Sequence, residues 1–84
     1  MNDLEIKQIV AEVLSAVLHR HVEAGENLER AQAPEWDSLN HMEVVFSVEE
    51  KFDIRLSEEE LASADSSSAI CTLIRGHMGG PKVS

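Results

Sequence analysis

The chain has 84 residues, of which 43% are hydrophobic and only 4% are aromatic, and its formal net charge is −9. A chain of this length holds a single domain with a modest core. Aliphatic residues with few aromatics favour a small all-α helical bundle over a sandwich or barrel. The acidic charge argues against binding to nucleic acids and to anionic membranes, because proteins bind both of these surfaces mainly through Lys and Arg. The expected partners are proteins with basic patches.

The first predicted helix covers residues 4–18, with Asp3 as its expected N-cap. Its apolar residues recur at three- and four-residue steps, which is the period of a helix with one buried face. Residues 21–36 have no such period and contain Gly25 and Pro34, so we predict a long loop, with room for one helical turn and with Leu28 as its main apolar anchor. A loop of this length in a small domain is often functional.

The second predicted helix covers residues 38–52, with Asp37 or Ser38 at its start. The residues expected on its inward face are apolar: Leu39, Met42, Val45, Phe46, Val48 and Phe52. The residues expected on its outward face are charged: Glu43, Glu49, Glu50 and Lys51.

Two further helices are predicted in the C-terminal part of the chain. Ser57 and Glu60 have the spacing of a capping box, and few apolar residues follow, so this third helix is short. A fourth helix begins within residues 65–68, and Gly76, Gly79, Gly80 and Pro81 are expected to end it. We therefore predict one domain over residues 1–78 and a flexible tail over residues 79–84, with three main helices, one short third helix and a long first loop.

The negative charge is concentrated in residues 35–65, which contain ten acidic residues and two basic ones. Such a run is often only a solvated face that keeps a small protein soluble. Its position around the start of the second helix also suits an electrostatic docking surface. The N-terminus lacks the pattern of a secretory signal, and no apolar run approaches the roughly 18 residues that span a bilayer, so a cytoplasmic location is expected.

The most informative motif is Asp37-Ser38-Leu39, which follows the long loop and opens the amphipathic helix. The tripeptide alone carries little information, because Asp and Ser are ordinary residues at helix starts. With its context, from Trp36 to Phe52 and then two more helices, the chain resembles the acyl carrier protein family, which also includes aminoacyl and peptidyl carriers. The resemblance covers about residues 4–75 and is closest to free-standing bacterial carriers.

The resemblance implies that Ser38 is the attachment point of a covalent 4'-phosphopantetheine arm. It also implies that Asp37 assists a phosphopantetheinyl transferase and that Leu39 lies near the arm. The residues implied as partner contacts lie on the second helix: Glu43, Phe46, Glu49 and Glu50, with His41 close to the arm or a partner. The implied partners are the transferase, an acyl-loading ligase or acyltransferase, and condensing enzymes such as a ketosynthase. The implied protein is a monomer that tethers acyl groups as thioesters in fatty-acid, polyketide or related biosynthesis and performs no catalysis itself.

The sequence departs from many carriers just before the motif. Glu35-Trp36 stands where many members have a glycine, two or three residues before the serine. The absence of glycine indicates that Trp36 packs at the turn or shields the loop.

Other functions find less support in the sequence. His19 and His21 are two residues apart and point in different directions on a helix, so no metal site is expected. Cys71 lies among apolar residues and is expected to be buried and unreactive. Two alternatives stay open: an aminoacyl or peptidyl carrier of a nonribosomal pathway, and an acidic helical adaptor without a prosthetic group.

Overall fold

Four α-helices make up most of the computed structural model, which describes residues 2–78. They are α1 (Asp3–Leu18), α2 (Ser38–Phe52), α3 (Glu58–Ser63) and α4 (Ser67–Met78), and a 3-10 turn covers Arg30–Gln32. Within residues 2–78 there is no strand, and the one β-bridge joins Glu29 to Ser66. The prediction of a small all-helical fold with a short third helix is confirmed. The predicted tail, 79–84, lies outside the described residues.

Local side-chain caps define most helix starts. Ser57 and Glu60 form the predicted capping box at α3. The predicted cap of α1 is wrong by one residue, because Asn2 forms a capping box with Glu5 and Asp3 is already helical. Asn and Asp are equally good caps, so the choice depends on which residue has a glutamate three positions later.

The core lies where α1 packs against α2 and α4. Leu14, Val44 and Ile74, one from each of these helices, have no exposed surface. Burying side chains of this size stabilises the fold by about 1.5–3 kcal/mol each. Helix α4 continues through Gly76 to Met78, and the other residues expected to end it, Gly79, Gly80 and Pro81, lie outside the described residues. None of the helices in residues 2–78 is long and apolar enough to cross a membrane.

Helix α2 has two apolar rows, and only one of them faces the core. The buried row consists of His41, Val44, Val45, Val48 and Phe52. The prediction that Leu39, Met42 and Phe46 point inward is wrong, because their exposed fractions are 72%, 38% and 59%. Both rows have helical spacing, so periodicity alone does not distinguish the buried row from the exposed one.

The long segment between α1 and α2 is anchored by more than Leu28. Val22, Ala33 and Trp36 are buried as well. The Ser67 hydroxyl accepts from the Leu28 amide at 2.7 Å, and the Ser67 amide donates to the Leu28 carbonyl at 2.9 Å. These paired bonds tie the loop to the start of α4 and satisfy polar groups that the loop buries.

Candidate functional site

Ser38 is the first residue of α2, and its side chain is exposed. Asp37 is the N-cap: its carboxylate Oδ1 accepts from the Asn40 amide at 2.9 Å, and its carbonyl accepts from the His41 amide at 2.8 Å. The amides of Ser38 and Leu39 precede the first intrahelical hydrogen bond and therefore have no partner in the helix. Ser38 thus presents a hydroxyl beside free N–H groups at the positive end of α2.

The backbone that leads into Ser38 is held from both sides. Arg30 Nε donates to the Trp36 carbonyl at 3.0 Å, and Asn40 Nδ2 donates to the Glu35 carbonyl at 2.7 Å. The Trp36 amide donates to the Ala33 carbonyl at 2.9 Å. Side-chain bonds to consecutive carbonyls fix the direction from which the chain enters α2.

The turn before Ser38 does not require glycine. Among residues 2–78, positive φ angles at non-glycine residues occur only at His19 and Asp53, which end α1 and α2. Trp36 therefore adopts an ordinary conformation, and its side chain is only 2% exposed. The prediction that Trp36 packs at this turn is confirmed.

His41 lies in the core, which corrects its expected place beside a partner or the arm. Its side chain is 8% exposed, because residue 41 falls in the buried row of α2. Trp36 Nε1 donates to His41 Nδ1 at 3.0 Å, and His41 Nε2 lies 3.0 Å from the Leu61 carbonyl oxygen. Both ring nitrogens are therefore engaged inside the protein.

Most of the other predicted contact residues form one exposed surface beside Ser38. We call Leu39, Met42 and Phe46 the exposed apolar row of α2. Glu43 and Glu50 are exposed on the same helix. Exposed apolar side chains next to carboxylates suit a partner that is apolar at the centre of its contact and basic at the rim.

Glu49 differs from its two neighbouring acids. It is half-buried, and its Oε2 accepts from the Leu56 amide at 2.9 Å. This bond holds the connection between α2 and α3, so Glu49 has a structural role whether or not it also meets a partner. An open groove lies beside it, lined by Phe46, Glu49, Glu50, Arg55, Leu56 and Leu61.

Within residues 2–78, Glu60 and Cys71 have shifted pKa values. The Ser57 amide and the His77 ring hold the pKa of Glu60 below its ordinary value of 4.5. Burial raises the pKa of the Cys71 thiol, which is 5% exposed, so the prediction of a buried cysteine is confirmed. No cluster of three or more His, Cys, Asp or Glu side chains suited to a metal occurs within residues 2–78.

Arg30 and Asn40 are the positioning residues that sequence reasoning missed. Asn40 carried a weak signal, since an amide two residues after an exposed serine can reach back to the preceding backbone. Arg30 carried none, because its bond to Trp36 depends on how the loop folds. No known family model matches the chain, and no curated protein matches it in sequence.

Proposed function

We propose that the chain is an acyl carrier protein with an acyl-carrier-type four-helix bundle, and that Ser38 carries a covalent 4'-phosphopantetheine arm. The observation that carries the proposal is the placement of Ser38 as an exposed hydroxyl at the first position of α2. The exposed apolar row and the acids beside it support the same proposal, because a carrier has to meet several enzymes through one small surface.

The residues around Ser38 fit a phosphodiester. The amides of Ser38 and Leu39 can donate to phosphate oxygens, and the helix end favours negative charge. Asp37 does not compete for these two amides, because its carboxylate is bonded to Asn40. When bound, the arm supplies a terminal thiol that holds an acyl group as a thioester.

The role of the protein is then tethering and presentation. Attachment requires the Ser38 hydroxyl oxygen to displace 3',5'-ADP from coenzyme A, with the serine proton passing to the transferase or to water. The chain itself contributes no catalysis in this proposal. It raises the local concentration of the acyl group at each partner enzyme.

The proposed partners are a phosphopantetheinyl transferase, an acyl-loading ligase or acyltransferase, and a condensing enzyme such as a ketosynthase. A partner can bury the largest exposed fractions on Leu39 and Phe46, because these are the most exposed members of the apolar row. Glu43 and Glu50 would speed association with a basic partner and make it sensitive to salt.

An acidic adaptor is the competing function. The exposed apolar row and its flanking acids could bind a basic partner without any modification of Ser38. The adaptor requires none of the features at the helix start, whereas the carrier requires an accessible Ser38. The two functions therefore differ in whether Ser38 is covalently modified.

Incubation with coenzyme A, magnesium and a broad-specificity transferase, followed by intact mass measurement, tests the proposal. We expect the mass to rise by one phosphopantetheinyl group and the rise to be lost in Ser38→Ala. Ser68→Ala is the matched control, because Ser68 is also exposed and lies in the first turn of a helix. No mass gain under conditions that fully modify a known carrier would refute the carrier function.

A further inference from the structure

A chain of two hydrogen bonds, one buried and one half-buried, runs from the loop before α2, through α2, to α3. Trp36 Nε1 donates to His41 Nδ1 at 3.0 Å, and His41 Nε2 lies 3.0 Å from the Leu61 carbonyl oxygen. An indole N–H can only donate and a carbonyl can only accept. His41 must therefore accept at Nδ1 and donate from Nε2, which defines one neutral tautomer.

The His41 bond matters for α3 because this helix has few other attachments. None of the six residues of α3 is buried. Leu61 lies in the last turn, where its carbonyl has only a long bond along the chain, from the Ala64 amide at 3.4 Å, and His41 of α2 supplies a shorter one at 3.0 Å. A second side-chain attachment is at Glu60, whose carboxylate oxygens lie 3.0 and 3.1 Å from His77 Nε2 of α4.

The same chain of bonds reaches the backbone on both sides of Ser38. Trp36 lies two residues before Ser38 and His41 three residues after it. Trp36 is 2% exposed and His41 is 8% exposed, so water competes little for the bond between them. A displacement of α3 that breaks the Leu61 bond would leave the Nε2 donor of His41 without its acceptor, and His41 is in turn the acceptor of the Trp36 indole.

We propose that Trp36, His41 and the Leu61 carbonyl form a bridge that couples the position of α3 to the presentation of Ser38. Trp36 and His41 are positioning residues in this bridge. A partner that moves α3 thereby loosens the start of α2 as well. The bridge exists in the unmodified chain, so the inference goes beyond the carrier function and does not depend on it.

Hydrogen exchange measured by NMR on the unmodified full chain tests the coupling from the Trp36 side. Trp36→Phe keeps most of the packing volume but removes the indole donor. We expect exchange of the Leu61 and Ala64 amides to rise by about fivefold or more, which is the lower end of usual couplings between sites. Rates are compared with those of the α1 core amides, such as Val13, which report global opening.

The reverse experiment weakens α3 and observes Trp36. Ala62→Gly lowers helix stability at an exposed position of α3, and Ala16→Gly is the same change at an exposed position of α1. Because coupling is reciprocal, Ala62→Gly should raise exchange of the Trp36 indole proton by a similar factor relative to the α1 core. Ala16→Gly should leave the exchange rate of the Trp36 indole proton, relative to that of the α1 core amides, unchanged.

The two experiments give decisive outcomes. The bridge is overturned if Ala62→Gly speeds exchange within α3 while the Trp36 indole proton is unaffected. It is also overturned if Trp36→Phe folds and leaves the α3 amides as protected as before. If Trp36→Phe does not fold, the Ala62→Gly experiment decides alone.

Discussion

Replacement of Asp37 separates the structural contribution of this residue from its proposed role in modification. Asp37→Ala removes the hydrogen bond from the Asn40 amide to Oδ1 and also the negative charge at the start of α2. Asp37→Asn keeps an oxygen that can accept the same bond and removes only the charge. Comparison of the two variants therefore separates the effect of the capping hydrogen bond from the effect of the negative charge.

The structure sets the expected sizes of the two effects. Loss of an N-cap costs about 1 kcal/mol, and an exposed charge at a helix end contributes about 0.3–1 kcal/mol. Since Asp37 is exposed, we take the lower end of the charge effect. Asp37→Ala should then lower the free energy of unfolding by about 1–1.5 kcal/mol, and Asp37→Asn by about 0.3 kcal/mol.

Urea unfolding followed by circular dichroism measures the free energy of unfolding of both variants. In thermal unfolding, a loss of about 1 kcal/mol corresponds to a fall in Tm of about 4–8 °C for a domain of this size. If Asp37 also assists the transferase through its charge, both variants should be modified more slowly at Ser38, although Asp37→Asn is nearly as stable as wild type. Equal destabilisation by the two variants would refute the capping argument. Wild-type modification of Asp37→Asn would refute a role for the charge.

Three further experiments, two of them with a matched control variant, test the core and the pH dependence of stability. Val45→Ala should cost about 2 kcal/mol, because it removes buried methyl groups, whereas Phe46→Ala at the neighbouring exposed position should stay within about 0.5 kcal/mol in the same urea titration. Ile70→Asp buries an unpaired charge and should abolish the helical circular dichroism signal, whereas Thr72→Asp at an exposed position of α4 should retain it. Glu60→Gln should be less stable than wild type at pH 7, and the difference in Tm should close as the pH falls below 4.5. The direction of this change follows from the lowered pKa of Glu60 in the folded protein. The ionised carboxylate stabilises the fold at any pH above the ordinary pKa of 4.5, and this stabilisation is lost as the pH falls through the lower pKa of the folded state. A difference in Tm that persists at low pH would contradict this assignment.

Features set by residues close together in the chain could be predicted from the sequence. The capping box of α3 depends on Ser57 and on a glutamate three residues later, and Asp37 at the start of α2 is equally local. The exposed position of Ser38 follows from the same local pattern. The core row of α1 could also be predicted, because its apolar residues form a single stripe.

Features that depend on the choice between equivalent patterns, or on distant contacts, could not be predicted. In α2 the exposed apolar row has the same spacing as the buried row, so the inward direction of Leu39 and Phe46 was wrongly predicted. The burial of His41 depends on the Trp36 indole and the Leu61 carbonyl, which reach it from the loop and from α3. A polar residue in a core row is predictable only when its partners are known.

Fragment-ion mass spectrometry of the full chain after treatment with coenzyme A and transferase tests the central claim most directly. The proposal predicts one phosphopantetheinyl group per chain, located on the fragment that contains Ser38, with the arm released as a characteristic ion. An unmodified Ser38 fragment, in a sample where a known carrier is fully converted, would contradict it.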